Sequence, residues 1–149
     1  MIKINISNIK KVTAALEKYE KEAQETVAGV VKIKAQEIAN DAKVLTRKDK
    51  GAGGGIASGI VAEQQETPLH YKVTSYVPYS PYHEFGTGGL VDIKEDWGEM
   101  AAQFKGKGIK QVNISPQPFM YPAYVKARAT FNKELKEELK VLNKKFNNG

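Results

Sequence analysis

The stretch that decides the fold is residues 8–47, "NIKKVTAALEKYEKEAQETVAGVVKIKAQEIANDAKVLTR". Apolar residues recur in it at steps of three and four, which is the spacing of one stripe along an α-helix. Ser7 or Asn8 can cap the start of this helix, and "KDKGAGGG" ends it. The stripe consists of Ile9, Val12, Leu16, Tyr19, Ala23, Val27, Val31, Ala35, Ile38, Ala42 and Leu45.

The length of this helix constrains the architecture. Forty residues at 1.5 Å each span about 60 Å, whereas a compact domain of this size has a radius of gyration of about 15 Å. We therefore expect either a break near Gly29, the weak interior position, or an apolar stripe that continues onto another chain. Val12, Leu16 and Tyr19, near the start of the stripe, are the candidate subunit interface.

Two strands are predicted after the long helix. The glycines of "GAGGG" (51–55) are typical of a flexible hinge. Residues 58–65, "SGIVAEQQ", and 69–79, "LHYKVTSYVPY", alternate as strands do, and "ETP" between them favours a turn. The pattern predicts an antiparallel hairpin, followed by a short tight segment at 80–88.

The rest of the chain is predicted to form an arm and a second helix. Residues 89–115 show little periodicity, so we expect a mobile arm with one short helix at 96–104. Three prolines make "PQPFMYP" (116–122) rigid, and an apolar stripe then predicts a helix from 123 to about 146.

The fold class that these elements predict is α+β, with a small antiparallel sheet packed against a long N-terminal helix and a C-terminal amphipathic helix. Residues 1–149 form a single domain in this interpretation. Its parts are the long helix (1–50), the hinge and hairpin (51–88), the mobile arm (89–115), and the proline segment with the final helix (116–149).

Composition excludes several classes of function. The chain has no cysteine, which rules out disulfides, thiolate catalysis and cysteine-ligated metal sites. The net charge of +6 is concentrated at the two ends of the chain, around a slightly acidic middle. Lysines interleaved with glutamates usually form a solvated helix face, although such a field also favours polyanions. No stretch has the apolar length of a membrane span or a signal peptide, so we expect a soluble protein made in a cytoplasm.

The adjacent pair His83–Glu84 is the strongest candidate for chemistry, and it is a weak one. Neighbouring residues point apart on an extended chain, and no nucleophile or second carboxylate stands at a catalytic spacing. His70 belongs to another element, and no metal-binding or phosphate-binding motif is present. We therefore expect no catalytic residues, no metal and no cofactor.

A structural role accounts for more residues of "YHEFGTGG" (82–89). Tyr82 and Phe85 supply apolar anchors, and Gly86 and Gly88 permit left-handed backbone. Glu84 is expected to accept hydrogen bonds from free amides in the turn.

Two motifs in order resemble one family. In "YSPYHEFGTG" (79–88) the matching residues are Tyr82, Glu84, Phe85, Gly86, Thr87 and Gly88. In "PQPFMYPAY" (116–124) they are Pro118, Phe119, Pro122 and Ala123. The chain is similar to the neck proteins of long-tailed phages, known as tail-component, tail-completion or head–tail joining proteins.

The resemblance implies a structural virion protein without enzyme activity. It implies a ring of subunits, commonly six, at the head–tail junction or the upper tail, in contact with other neck and tail proteins and traversed transiently by DNA. The motif residues are structural, and Phe119 is expected to anchor the proline segment in the core. Two other interpretations stay open: a DNA-binding accessory protein with basic helices, and a small host-encoded enzyme with a ligand around His83.

Overall fold

The computed structural model describes residues 6–47, 53–86 and 115–147. In chain order the elements are α1 (Ile6–Arg47), α2 (Gly53–Gly59), β1 (Ile60–Gln64), β2 (Tyr71–Ser75), α3 (Ser80–Phe85) and α4 (Met120–Asn147). A long helix, an antiparallel pair of strands and a second long helix confirm the predicted α+β class.

α1 and α4 form an antiparallel helical pair. Asp41 near the end of α1 accepts a hydrogen bond from Lys126 near the start of α4, and Tyr19 lies against Phe146 near the end of α4. α1 continues through Gly29 as one helix of 42 residues, so the break considered from the sequence does not occur. Its length is about 63 Å. The final helix begins at Met120, three residues before the predicted start, because the carboxylate of Glu84 binds its first amides.

The hairpin packs along α1, with its turn (residues 67–69) beside residues 21–28 of that helix. β1 and β2 are antiparallel with Ile60 opposite Ser75 and Gln64 opposite Tyr71. One face of the hairpin, which includes Ile60, Ala62 and Val73, packs into the core. The buried residues of that core are Ala39, Ala42, Ile56, Ile60, Phe119 and Ala123.

The glycine-rich hinge predicted at 51–55 is wrong for residues 53–55, which belong to α2. Tertiary packing overrides the low helix propensity of glycine here, because Ile56 and Ala57 of the same helix are buried. Gly59 ends α2 where the chain passes β2, and a Cβ on it would lie 2.6 Å from Val77 Cγ2. Glycine at this position therefore lets the chain at Val77 pack closely against the end of α2. The other two residues of the predicted hinge, 51–52, lie outside the described ranges.

The tight segment predicted at 80–88 is a short helix, α3, over its described part. Pro81 stands in the first turn of α3, where its missing amide costs nothing. The predicted mobile arm, with its short helix at 96–104, lies outside the described residues, apart from Ser115. None of the helices in the described ranges has the length and apolar character that crossing a bilayer requires.

Candidate assembly site

The carboxylate of Glu84 joins the two sequence motifs. Its Oε2 accepts hydrogen bonds from the backbone amides of Phe119 and Met120 at 2.8 and 2.9 Å, and its Oε1 accepts one from Tyr121 at 2.9 Å. These amides start α4, where a helix has no carbonyl partners for its own N–H groups. α4 has no acidic residue in its first turn, so Glu84 supplies the negative charge that this helix end favours. We call this arrangement the Glu84 junction.

The backbone on either side of Glu84 adds to the junction. The carbonyl of His83 accepts a hydrogen bond from the amide of Gln117 at 2.7 Å, just before α4. Gly86 ends α3 with φ 70° and ψ −177°, a conformation that glycine adopts far more readily than other residues. α3 therefore ends at Phe85, one residue after Glu84, and Glu84 is buried with 6% of its surface exposed.

The sequence predicts that Glu84 accepts hydrogen bonds from free amides in its own turn; residues 87–89 of that turn lie outside the described residues, and the described residues supply three donors from elsewhere. The donors lie 35 to 37 residues further along the chain, in the second motif. The amides of residues 119–121 at the start of α4 have no carbonyl partner within the helix, and the Glu84 carboxylate provides one. Glu84 thus fixes where the proline segment ends and the last helix begins.

The other motif residues surround this junction. Phe85 and Phe119 are buried, and Phe119 belongs to the core, where the sequence pattern places it. Tyr82 is exposed, whereas Pro122 lies half-buried in the first turn of α4 and Pro118 is exposed just before it. Thr87 and Gly88 lie outside the described residues.

The geometry at residues 82–86 is that of a structural joint. The three hydrogen bonds that the Glu84 carboxylate accepts from described residues all come from backbone amides. The ring of His83 lies 6.0 Å from that of Tyr79, centroid to centroid, in a tilted arrangement. Among the described residues, no group of three His, Asp or Glu side chains is placed to hold a metal ion.

The candidate interface residues divide into two environments. Residues 9–18 of α1, which we call the projection, are exposed throughout. Ile9, Val12 and Leu16 lie on one face of the projection and are 56%, 59% and 63% exposed. Tyr19 instead packs within the chain: its hydroxyl donates to Asn143 Oδ1 at 2.6 Å, and its ring meets Phe146 edge-on at 5.2 Å. The helical pair therefore ends at Tyr19, and the projection extends beyond it.

A buried lysine fixes how α1 and α4 align. Lys34 is 6% exposed, and its amine donates to Glu37 and Glu134 at 2.6 Å and to Thr130 at 2.9 Å. Burial alone would lower the pKa of Lys34, but the hydrogen bonds to Glu134 and Glu37 outweigh it and raise the pKa above 10.5. The hydrogen bond from Lys34 lowers the pKa of Glu134 below its ordinary value of 4.5.

Sequence reasoning missed Lys34 because it counted only apolar residues along α1. The position of Lys34 gave the signal that was available: it falls four residues after Val30, and both side chains are buried. A lysine at a core position of a helix needs a carboxylate partner, and the candidates on a second helix were many. The pairing with Glu134 required the alignment of α1 and α4, which the sequence did not supply.

Comparison with known proteins gives one result. The family model described as "Bacteriophage HK97-gp10, putative tail-component" matches residues 10–86, which is more than half of the chain. The match includes Glu84 and Gly86 of the first motif and ends before the second. No curated protein and no solved structure matches the sequence. The chain therefore belongs to the HK97-gp10-like family of bacteriophage tail components.

Proposed function

We propose that this protein is a structural component of a phage virion, located at the head–tail junction or in the upper tail. In this proposal copies of it assemble there into a closed ring of six subunits, the number common among the neck proteins that the chain resembles. The observation that carries this proposal is the projection of α1, with three large aliphatic side chains exposed on one face.

Exposure of the aliphatic side chains of the projection to water is unfavourable. Covering one side chain of this size stabilises a contact by roughly 1.5–3 kcal/mol when its burial is complete. α4 ends at Asn147 and reaches only as far as Lys18, whose amine lies 5.9 Å from the centre of the Phe146 ring, so in the described structure no element of the same chain lies along residues 9–17. A neighbouring molecule is the natural cover, and repeated head-to-tail contacts of that kind close into a ring when the rotation permits.

The Glu84 junction supports the same proposal from the other side of the molecule. Residues that are buried and bonded only to backbone are suited to hold a subunit in one shape. We propose that the motif around Glu84 has this architectural role and that the protein performs no catalysis. Its partners are then other copies of itself and the adjoining neck and tail proteins, and DNA passes transiently through the channel.

The test is to follow the protein into particles. A phage that lacks the gene is complemented with the wild-type protein carrying a small C-terminal tag, and purified virions are examined by quantitative mass spectrometry and tag-directed cryo-electron microscopy. We expect about six copies per virion, arranged as a ring at the neck or upper tail. Virions that are infectious and contain no copies of the protein would contradict the proposal.

A further inference from the structure

A groove of about 350 Å³ lies between the middle of α1 and the middle of α4. Its floor is formed by Gly29, Val30 and Ile33. Ile33 is aliphatic and yet 52% exposed. The rim carries Glu25, Glu134, Glu137 and Glu138, and none of the described residues that line the groove is basic. We call it the acidic groove.

Gly29 keeps the floor of this groove open. A Cβ built on Gly29 would meet no described atom within 4 Å, so packing within the described chain does not require a glycine there. A glycine inside a helix costs about 1 kcal/mol relative to alanine. The open space above Gly29 is therefore retained although the glycine lowers the stability of α1.

Most of the negative charge on the rim of the groove is not paired within the described part of the chain. Glu134 is bound to Lys34. In the part of the chain that the structure describes, Glu25, Glu137 and Glu138 form no ion pair.

The projection has the opposite charge and a complementary apolar face. Residues 9–18 contain three lysines, Lys10, Lys11 and Lys18, against one acidic residue, Glu17. Lys10 and Lys11 lie on either side of the projection, each about 130° around the helix from the centre of the stripe of Ile9, Val12 and Leu16. Their flexible stems allow the amines to reach back past an apolar contact. Lys18 lies on the face opposite the stripe, where its amine is 4.0 Å from Glu22 Oε1 and 5.9 Å from the centre of the Phe146 ring.

A projection cannot enter the groove of its own chain. Val12 and Ile33 lie on the same continuous helix, 21 residues apart, which corresponds to about 32 Å. We propose that the projection of one copy docks in the acidic groove of a second copy. The stripe then covers Ile33 and the space above Gly29, and the amines of Lys10 and Lys11 reach back toward the glutamates of the rim. This inference rests on the proposed function, because it names the contact by which the copies associate.

Engineered cysteines test this contact without background, since the chain has none of its own. One full-length variant carries Val12→Cys and a second carries Ile33→Cys, and the two are mixed at high concentration with a short bismaleimide. The matched control replaces Ile33→Cys with Val44→Cys. Val44 is also 52% exposed, but it lies 11 residues further along α1, about 16 Å away.

The expected result is a cross-linked heterodimer from Val12→Cys with Ile33→Cys at several times the yield of the Val44→Cys mixture. Three results would overturn the docking. Strong linking of Val12→Cys to itself would show that stripes pair with stripes. Oligomers without the Val12–Ile33 link would place the contact elsewhere and leave ring assembly standing. Chains that stay monomeric and unlinked would exclude direct docking of copies, while the particle analysis would still decide the virion assignment.

Charge reversal provides a second, independent readout. Lys10→Glu with Lys11→Glu should weaken self-association about tenfold, which corresponds to about 1.4 kcal/mol, because two attractions to the acidic rim become repulsions. Glu137→Lys with Glu138→Lys in the partner should restore it. Gly29→Gln, which fills the groove without adding charge, should weaken association while leaving the melting temperature of the subunit equal or higher. Association that responds to none of these changes would overturn the inference.

Discussion

The Glu84 junction and the projection of α1 differ in which kind of side chain is buried and which is exposed to water. At the junction a charged carboxylate is buried and bonded to three amides, whereas on the projection three aliphatic side chains are left in water. Each arrangement is the reverse of what a side chain of that kind usually does. The charged residue is buried because it holds two segments of the subunit together, and the apolar residues are exposed because, in our proposal, they hold subunits to each other. Substitutions at the junction should therefore affect folding, and substitutions on the projection should affect assembly.

The largest effect on folding is expected at Phe119. Removing this buried ring leaves a cavity in the core, and such truncations cost about 3–5 kcal/mol. Leu16→Ala on the projection is the matched control, with an expected cost within about 0.5 kcal/mol because the side chain is exposed. Urea unfolding of both variants measures the difference. Similar losses at the two positions would remove the contrast between the regions.

Glu84→Ala should follow, with a loss of about 2–4 kcal/mol, because three amides at the start of α4 lose a charged acceptor. Glu84→Gln keeps the size of the side chain and one acceptor oxygen, so its loss should be roughly half as large. Hydrogen exchange of residues 119–121 should accelerate in Glu84→Ala. Unchanged protection of these amides would show that Glu84 does not stabilise them.

Gly86→Ala is expected to cost about 1–3 kcal/mol, since its backbone conformation disfavours any side chain. Gly29→Ala is the matched control, because Gly29 lies inside a helix with open space above it. There alanine should stabilise the subunit by up to about 1 kcal/mol. Thermal melting of the two variants should shift in opposite directions. A Gly86→Ala variant that melts like the wild type would remove the argument that α3 must end in this conformation.

A smaller, pH-dependent effect is expected between α1 and α4. The pKa of Glu134 is lowered, so the stability it contributes is present above pH 4.5 and is lost as the pH falls through the folded-state pKa. The pKa of Lys34 is raised, so its contribution is present below pH 10.5 and is lost only above that value. The melting temperature of Glu134→Gln should lie below that of the wild type at pH 7, and the gap should close as the pH falls below 4.5 and through the folded-state pKa of Glu134. Glu137→Gln is the control, and a gap of the same size at every pH would exclude the ion pair as its cause.

The sequence predicts the parts of this fold that depend on local periodicity. The stripe from Ile9 to Leu45 identifies α1, and alternation around Ile60 and Val73 identifies the hairpin, although β1 and β2 are shorter than predicted. The prediction for residues 53–55 is wrong because it rests on the low helix propensity of glycine. The helix forms there because Ile56, in the same segment, is buried in the core.

The candidate site was less accessible to sequence reasoning. The role of Glu84 as an acceptor was predicted, but its donors lie 35 to 37 residues away, and no local rule connects them. The acidic groove was missed altogether, since Gly29 and Glu137 meet only when α1 and α4 are aligned. The exposure of the projection, by contrast, follows from the length of one helix and the size of one domain.

Complementation of a phage lacking this gene tests most directly whether the projection drives assembly. Val12→Glu with Leu16→Glu places two charges on the stripe, and Ala14→Glu places one on the opposite face of the same helix. The account predicts that the stripe variant folds with a stability within about 0.5 kcal/mol of the wild type and yields no infectious particles. Ala14→Glu and His83→Ala should both restore infectivity. Infectious particles from the stripe variant, together with none from His83→Ala, would contradict the account and return residues 82–86 to consideration as a chemical site.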